Sequence, residues 1–242
     1  MIPVLICPII GDFDLVERML DSIDVPVGRL VIVDNSLTGW KSQGARSIEY
    51  IRPITGLGYP GGINAGISQT PEAPWWVWCN ADLSFGPGDL AHIAAVMEEA
   101  TGPRHVTGSH RGLRNAYGAM NAACIEAAGL FDDWSFYPIY YDDDDYQYRC
   151  GLAGVEWVAY DGGIRHLGSR TLDDPAYREA NGRTYPRNAA AYVAKWGGLP
   201  GDERYDSPWD SDLPVWVTRP DPAGRGGRLW ETTMLPVGGE TR

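Results

Sequence analysis

Trp75-Trp76-Val77-Trp78-Cys79-Asn80-Ala81-Asp82 is the stretch on which the reading of the fold turns. Five consecutive apolar residues are too short for a membrane helix and too uniformly apolar for a half-exposed strand, so they read as a strand covered on both faces that stops at Asn80 and Asp82. The same figure recurs upstream. Residues 2–7 form a first apolar strand, residues 30–33 a second that stops at Asp34-Asn35, and residues 47–51 a weaker third. Amphipathic stretches lie between them. Within residues 13–24, Leu15, Val16, Met19, Leu20 and Ile23 share one helical face; a short helix is expected at 63–69 and another at 88–99. Strands alternating with helices predict an α/β fold with a doubly wound, mostly parallel sheet, whose ligands gather beyond the carboxyl ends of the strands. Asp34 and Asp82 both stand at such ends.

Downstream the pattern changes. Residues 117–125 mix strand and helix signals, 126–133 read as a turn region, 142–152 as a helix following the aromatic run 136–141, and 155–160 as a further strand. A helix near 187–196 closes the periodic part. From Gly197 onward Gly, Pro and Trp accumulate without periodicity, which predicts an irregular tail draped on the body or on another subunit.

Composition bounds the rest. A chain of 242 residues with 44% hydrophobic and 21% charged residues can build one large core with extensions, which excludes wholesale disorder. No apolar run approaches the ~20 residues of a membrane helix, and no basic region precedes the first apolar run, so neither a membrane span nor a signal peptide is expected. Cys7, Cys79, Cys124 and Cys150 form no CxxC or Cys/His cluster and read as reduced core thiols of a cytoplasmic protein. The net charge of −12 argues against broad adhesion to nucleic acid, while a local basic groove stays compatible with it.

Four polar features interrupt the apolar framework, and each has a bland reading. Asp34-Asn35-Ser36 suits a strand-to-turn transition as well as a ligand contact. Gly56-Leu57-Gly58-Tyr59-Pro60-Gly61-Gly62 suits a phosphate cradle at a helix start or a plain flexible loop, and it matches neither the P-loop nor GxGxxG. Asn80-Ala81-Asp82 suits a helix-capping turn or a site for a hard cation. Asp142-Asp143-Asp144-Asp145 is the anomaly: four adjacent carboxylates repel one another and follow a stretch unlike a surface, Tyr137-Pro138-Ile139-Tyr140-Tyr141. Helical spacing places Asp142 and Asp145 with Arg149 as a structural half and leaves Asp143 able to act as a base. His166 follows Gly162-Gly163 after the last strand.

Taken in order, these segments resemble the inverting nucleotide-sugar glycosyltransferases of family 2, over roughly residues 2–200. Val31-Ile32-Val33-Asp34-Asn35-Ser36 is similar to the family's strand ending in Asp-Asn-x-Ser; the run from Gly56 through Asn64 to Gly66 is similar to its donor loop. Asn80-Ala81-Asp82 stands where the family carries Asp-x-Asp or Asn-Pro-Asp. Gly129-Leu130-Phe131-Asp132, then Asp142-Asp143-Asp144-Asp145-Tyr146-Gln147-Tyr148-Arg149, follows the pattern Gly-x-Phe-Asp and Glu/Asp-Asp-x-Asp-x-x-x-Arg. His166 with Gly168-Ser169 corresponds to the metal-binding His, and Lys195-Trp196-Gly197-Gly198 to the C-terminal region of some members. Rhamnosyl- and galactofuranosyltransferases are the nearest in flavour. Three positions depart from the pattern: Asn80 replaces a carboxylate, Asp142 replaces the commoner Glu, and Thr55 opens the glycine-rich segment.

The resemblance implies a GT-A fold with a nucleotide-sugar-binding half at 1–112, an acceptor and catalytic half at 113–198, and an extension at 199–242. It implies donor binding by Pro8, Asp34, Asn35, Gly58, Gly61, Gly62, Asn64, Asn80, Ala81 and Asp82, the donor being a UDP- or dTDP-linked sugar. Asp82 and His166 would hold Mn²⁺ or Mg²⁺, Asp143 would be the general base, and Asp142, Asp145 and Arg149 would support it. The competing class is a non-catalytic sugar-nucleotide or carbohydrate-binding protein of the same fold, and a third is a nucleotidyltransferase, which would need a basic residue in its glycine-rich loop. A glycan, protein or small molecule is expected as acceptor, homo-oligomerisation through the extension is a further expectation, and Trp75, Trp76, Trp78, Trp134 and Trp157 are candidate sugar platforms or core residues.

Overall fold

The computed structural model describes residues 1–11, 13–36, 39–41, 47–110, 112–168, 173 and 175–211, together with the backbone of 215–220 and 230–235. Along the chain come β1 (Ile2–Ile9), α1 (Phe13–Asp21), β2 (Val27–Asp34), β3 (Glu49–Ile51), α2 (Gly58–Gln69), β4 (Trp75–Cys79) and β5 (Leu83–Ser84). Then follow α3 (Asp89–Glu98), β6 (Arg104–Thr107), β7 (Tyr117–Asn121), α4 (Ala122–Ala128), α5 (Asp142–Leu152), β8 (Glu156–Ala159), β9 (Arg165–His166) and α6 (Pro175–Trp196).

Seven of these strands form one sheet in the order β3-β2-β1-β4-β7-β6-β8. Only β7 runs against its neighbours, β4 and β6; the other pairs are parallel. Alternation along each strand feeds two cores. Leu5, Cys7, Val77 and Cys79 face α1 and α3, while Val4, Ile6, Trp76 and Trp78 face α2, α4 and α5. Trp75, Trp76 and Trp78 are therefore core residues, whereas Trp134 and Trp157 are exposed. All four cysteines are buried and unpaired. The chain leaves β1 toward β2 on one side and is joined by β4 on the other, so a crevice opens between the carboxyl ends of β1 and β4.

Three elements differ from expectation. The glycine-rich segment is helical from Gly58 rather than from 63, since Pro60 sits in the first turn, where its missing N–H is not needed. Close packing explains its glycines: a Cβ on Gly62 would lie 2.9 Å from Pro8 Cβ, and one on Gly66 would lie 2.5 Å from Ile6 Cγ2. Helix α6 spans 22 residues, starting well before 187 and running through Pro186. Gly182 and Pro186 hide its first half in sequence, because proline removes the donor that would serve the carbonyl four residues back. In the tail, the backbone of Val215–Pro220 and Trp230–Leu235 pairs as an antiparallel ribbon (β10 and β11), while the rest of 199–242 beyond residue 211, like Ser169, lies outside the described residues. Among the described residues no helix is long and apolar enough to cross a membrane.

Candidate active site

A cleft of about 870 Å³ opens at the carboxyl ends of β1 and β4, within the usual range for a small-molecule site. On its floor Asn80, Ala81 and Asp82 leave β4, and Asp82 is carried to His166 by a short ladder in which β5 pairs antiparallel with β9, Leu83 opposite His166. The backbone N–H of Leu167 donates to the Asp82 carbonyl at 3.1 Å and closes this corner. Neither β5 nor β9 was expected. Their two-residue length carries no periodic signal in sequence.

The corner is a polar triad. His166 Nδ1 donates to the Gly112 carbonyl at 2.7 Å, which directs Nε2 at Asp82 Oδ1, 3.0 Å away, and at Asn80 Nδ2, 3.1 Å away. Burial disfavours the imidazolium, but the Asp82 carboxylate and the Gly112 carbonyl outweigh it and raise His166 above its ordinary value. Among the described residues the buried Asn80 Oδ1 finds no hydrogen-bond partner. A carboxylate, an imidazole nitrogen fixed by a backbone carbonyl and an orphaned amide oxygen suit Mn²⁺ or Mg²⁺. Among the described residues no group of three His, Cys, Asp or Glu side chains converges, so such an ion would complete its shell from substrate phosphate and water.

Across the cleft stands the start of α5. Tyr140 and Tyr141, both in the left-handed region at φ 73° and 67°, turn the chain into the helix. Buried Asn188 of α6 holds that turn, its Nδ2 donating to the carbonyls of Ile139 at 2.9 Å and Tyr140 at 3.2 Å. The four aspartates occupy the first turn, where the helix N-terminus favours negative charge. Asp142, Asp143 and Asp144 line the cleft. Asp142 does not pair with Arg149: it is fully buried and accepts from Asn115 Nδ2 at 3.2 Å, because seven residues carry Arg149 two turns away. Burial first, and then the Asp143 carboxylate, push Asp142 well above the ordinary carboxylate range. Asp145 points the other way. It takes Arg149 Nε at 2.8 Å, Lys195 Nζ at 2.7 Å and Trp196 Nε1 at 2.9 Å, all from behind the site. Lys195 also reaches Asp132 at 2.7 Å, and its charge holds that carboxyl, against burial, below the usual range. Arg149 is finished by the carbonyls of Ala128 and Leu130.

The donor residues expected from sequence divide sharply. Pro8, Asn35, Gly58, Asn80, Ala81 and Asp82 line the cleft. Asp34 does not: its buried carboxylate accepts from the N–H of Ser36 at 2.8 Å and of Trp40 at 2.9 Å and from the Tyr50 hydroxyl, so it closes its own turn. Burial opposes its charge, and these hydrogen bonds prevail and lower it. Asn64 is likewise spent, bridging the N–H and carbonyl of Phe131 at 3.2 and 2.9 Å. Gly61 and Gly62 face protein, not cleft. Asn35 accepts from the Leu57 N–H at 2.8 Å and donates to the Gly58 carbonyl at 3.3 Å, pinning the start of α2 at the rim. Gly58 is required there by φ +72° and by Pro138 O, 2.5 Å from where a Cβ would be.

Sequence reasoning missed Arg114, Asn115, Tyr140, Tyr141 and the face of α6 that overhangs the cleft through Tyr177 and Tyr185. The aromatic run before α5 was the one visible signal for any of them.

Comparison with protein-family models and with curated protein sequences gives no match. Solved structures do match. A mannosyltransferase from Pyrobaculum calidifontis, in complex with GDP-Man and Mn²⁺, aligns over 82% of this chain and 65% of its own, at 15% identity and TM-score 0.56. The glucosyl-3-phosphoglycerate synthase of Mycobacterium tuberculosis, in complex with Mn²⁺, UDP and phosphoglyceric acid, aligns over 98% and 87%, at 13% identity and TM-score 0.56. S. aureus TarS 1-349 in complex with UDP-GlcNAc aligns over 80% and 67%, at 12% identity and TM-score 0.54. The chain spans somewhat under two thirds of the mannosyltransferase. With its mixed seven-stranded sheet and flanking helices shared with these structures, the chain has the GT-A glycosyltransferase fold.

Proposed function

We propose that this protein transfers a sugar from a nucleotide-diphosphate sugar to an acceptor hydroxyl with inversion, using a divalent cation. One observation carries the reading: a single cleft brings the Asn80, Asp82 and His166 corner opposite Asp143. Asp82 and His166 would hold Mn²⁺ or Mg²⁺, which as a Lewis acid stabilises the departing diphosphate. Asn35 and Gly58 on the rim and Asn80 and Ala81 on the floor are placed to bind the donor, a UDP- or dTDP-linked sugar; the similar structures hold UDP or GDP-Man, which adds a GDP-linked sugar to the donors to be tried.

Asp143 removes the proton of the acceptor hydroxyl as its oxygen bonds to the anomeric carbon. The bond from that carbon to the diphosphate oxygen breaks in the same displacement, and the electron pair leaves with the nucleoside diphosphate. Two residues prepare Asp143. Asp142 lies directly beside it in the first turn, its carboxyl pushed upward first by burial and then by the Asp143 carboxylate. Asp145, tied to Arg149, Lys195 and Trp196, fixes the helix turn that presents it.

The test is release of nucleoside diphosphate from UDP-, dTDP- and GDP-sugars with Mn²⁺ present, where slow transfer to water needs no known acceptor. Release that stops with chelator and in Asp82→Ala supports the reading. Nucleotide-sugar binding with no release in any condition favours the non-catalytic alternative, and product of retained anomeric configuration removes the single displacement.

A further inference from the structure

The cleft has a second wall that the transfer reading leaves without a task. The first half of α6 presents Tyr177, Asn181 and Tyr185 to it, recurring every fourth residue and hence stacked on one helical face. Tyr185 meets Tyr140 and Tyr141 with ring centroids 5.4 Å from each, in edge-on and tilted arrangements. The wall is not held there by a need to bury it. The helix is anchored by its other half, where Asn188, Tyr192, Lys195 and Trp196 are buried, while Tyr185 remains 45% exposed.

We propose that this tyrosine wall is the acceptor subsite, and that it takes an uncharged glycan. The proposal rests on the glycosyl-transfer reading of the same cleft. Position supports it, because Tyr140 and Tyr141 lead directly into Asp142 and Asp143, so a ring stacked on the wall has its hydroxyls beside the base. Chemistry supports it as well. The wall residues Tyr140, Tyr141, Tyr177, Asn181 and Tyr185 carry no formal charge; among the described residues lining the cleft Arg114 is the one arginine or lysine, and His166 is engaged by Asp82. An anionic acceptor would find carboxylates at its foot, in a chain of net charge −12, and no cation among the described residues of the wall. A pyranose or furanose ring offers C–H faces for the tyrosine rings and hydroxyl donors for Asn181, whose Oδ1 is buried with no hydrogen-bond partner among the described residues. A protein acceptor would need backbone-directed donors and acceptors along the wall, and aromatic rings supply few.

The test is binding of the full chain, with Mn²⁺ and UDP present, to a panel of neutral gluco-, manno- and galacto-configured disaccharides, sialylated and phosphorylated sugars, and serine/threonine peptides. Neutral saccharides should bind, with Tyr185→Ala weakening them about tenfold and Tyr185→Phe leaving them nearly unchanged, since the ring is what stacks. Failure of every neutral saccharide to bind, preference for the anionic sugars or the peptides, or equal binding by wild type and Tyr185→Ala would each overturn the assignment. UDP binding is read in parallel, and its loss in Tyr185→Ala would move the tyrosine to the donor and overturn it too. Failure of the transfer reading looks different: saccharides would bind through Tyr185 while no nucleotide sugar releases its diphosphate.

Discussion

The glycine-rich segment at 56–66 and the aspartate run at 142–145 look alike in sequence, each an unusual cluster that suggests ligand handling. In the structure they divide. Gly62 and Gly66 serve packing, letting α2 lie against Pro8 and Ile6 of β1 at distances a methyl group would forbid, and within the segment only Gly58 reaches the cleft. The aspartates split between the two tasks within one helical turn: Asp142, Asp143 and Asp144 line the cleft, while Asp145 is locked to a buried lysine and arginine. Missing side chains can be used up by a neighbouring strand without a trace in composition. Charges cannot, because each one buried must find a partner or a proton.

Four substitutions sharpen or break this contrast. The largest effect is expected at Asp143→Asn, which keeps shape but cannot accept a proton, so turnover in the diphosphate-release assay should fall about 10²–10⁴-fold. Donor affinity should barely move. If Asp142→Asn or Asp144→Asn loses turnover instead, the base must be reassigned within the run.

Next is Lys195→Met. Lys195 is only 4% exposed and serves two carboxylates, and removing one side of a buried ion cluster costs about 3–5 kcal/mol, visible as a lower urea midpoint. A midpoint equal to wild type would mean the cluster does not hold the site's back wall.

Gly66→Ala comes third. Its Cβ would lie 2.5 Å from Ile6 Cγ2, and overpacking of this kind costs about 1–3 kcal/mol. Donor affinity measured by calorimetry should stay as it was. Loss of donor affinity at unchanged stability would instead restore the glycines to a phosphate cradle.

The smallest effect has the opposite sign. Asp142 is raised in the folded state, chiefly by burial, so the folded protein binds a proton that the unfolded chain gives up near pH ~4. Stability is therefore present in full below that value and is lost as pH climbs toward the folded value. Asp142→Asn removes the loss and should melt higher than wild type near neutral pH, with the gap closing on acidification. A gap that stays constant from pH 4 to 7 would show that Asp142 is not perturbed.

How much of this was legible follows from what each residue spends its interactions on. Continuous apolar runs announced the strands, and Trp75–Cys79 is a strand over the residues read as one. The aspartate helix was also visible, since Asp142–Leu152 follows an aromatic run that had to turn. The short ladder joining Asp82 to His166 was not, because Asn80 and His166 lie 86 residues apart and no local pattern links them. Only the resemblance placed them together. Asp34 shows the reverse case: a carboxylate at a strand's end suits a ligand or a turn, and the choice depended on Trp40 and Tyr50, whose approach sequence does not display. The overhanging half of α6 was hidden by Gly182 and Pro186, which argue against a helix that its buried second half nonetheless sustains.

The buried Lys195 has one more consequence, for the chemist at the bench. The chain carries only two lysines, and with Lys195 enclosed Lys41 is the exposed lysine side chain. Lys41 follows Trp40, whose N–H is bound by Asp34 at the end of β2. An amine-reactive fluorophore therefore meets one exposed lysine side chain, with no cysteine engineering and no mutation near the cleft.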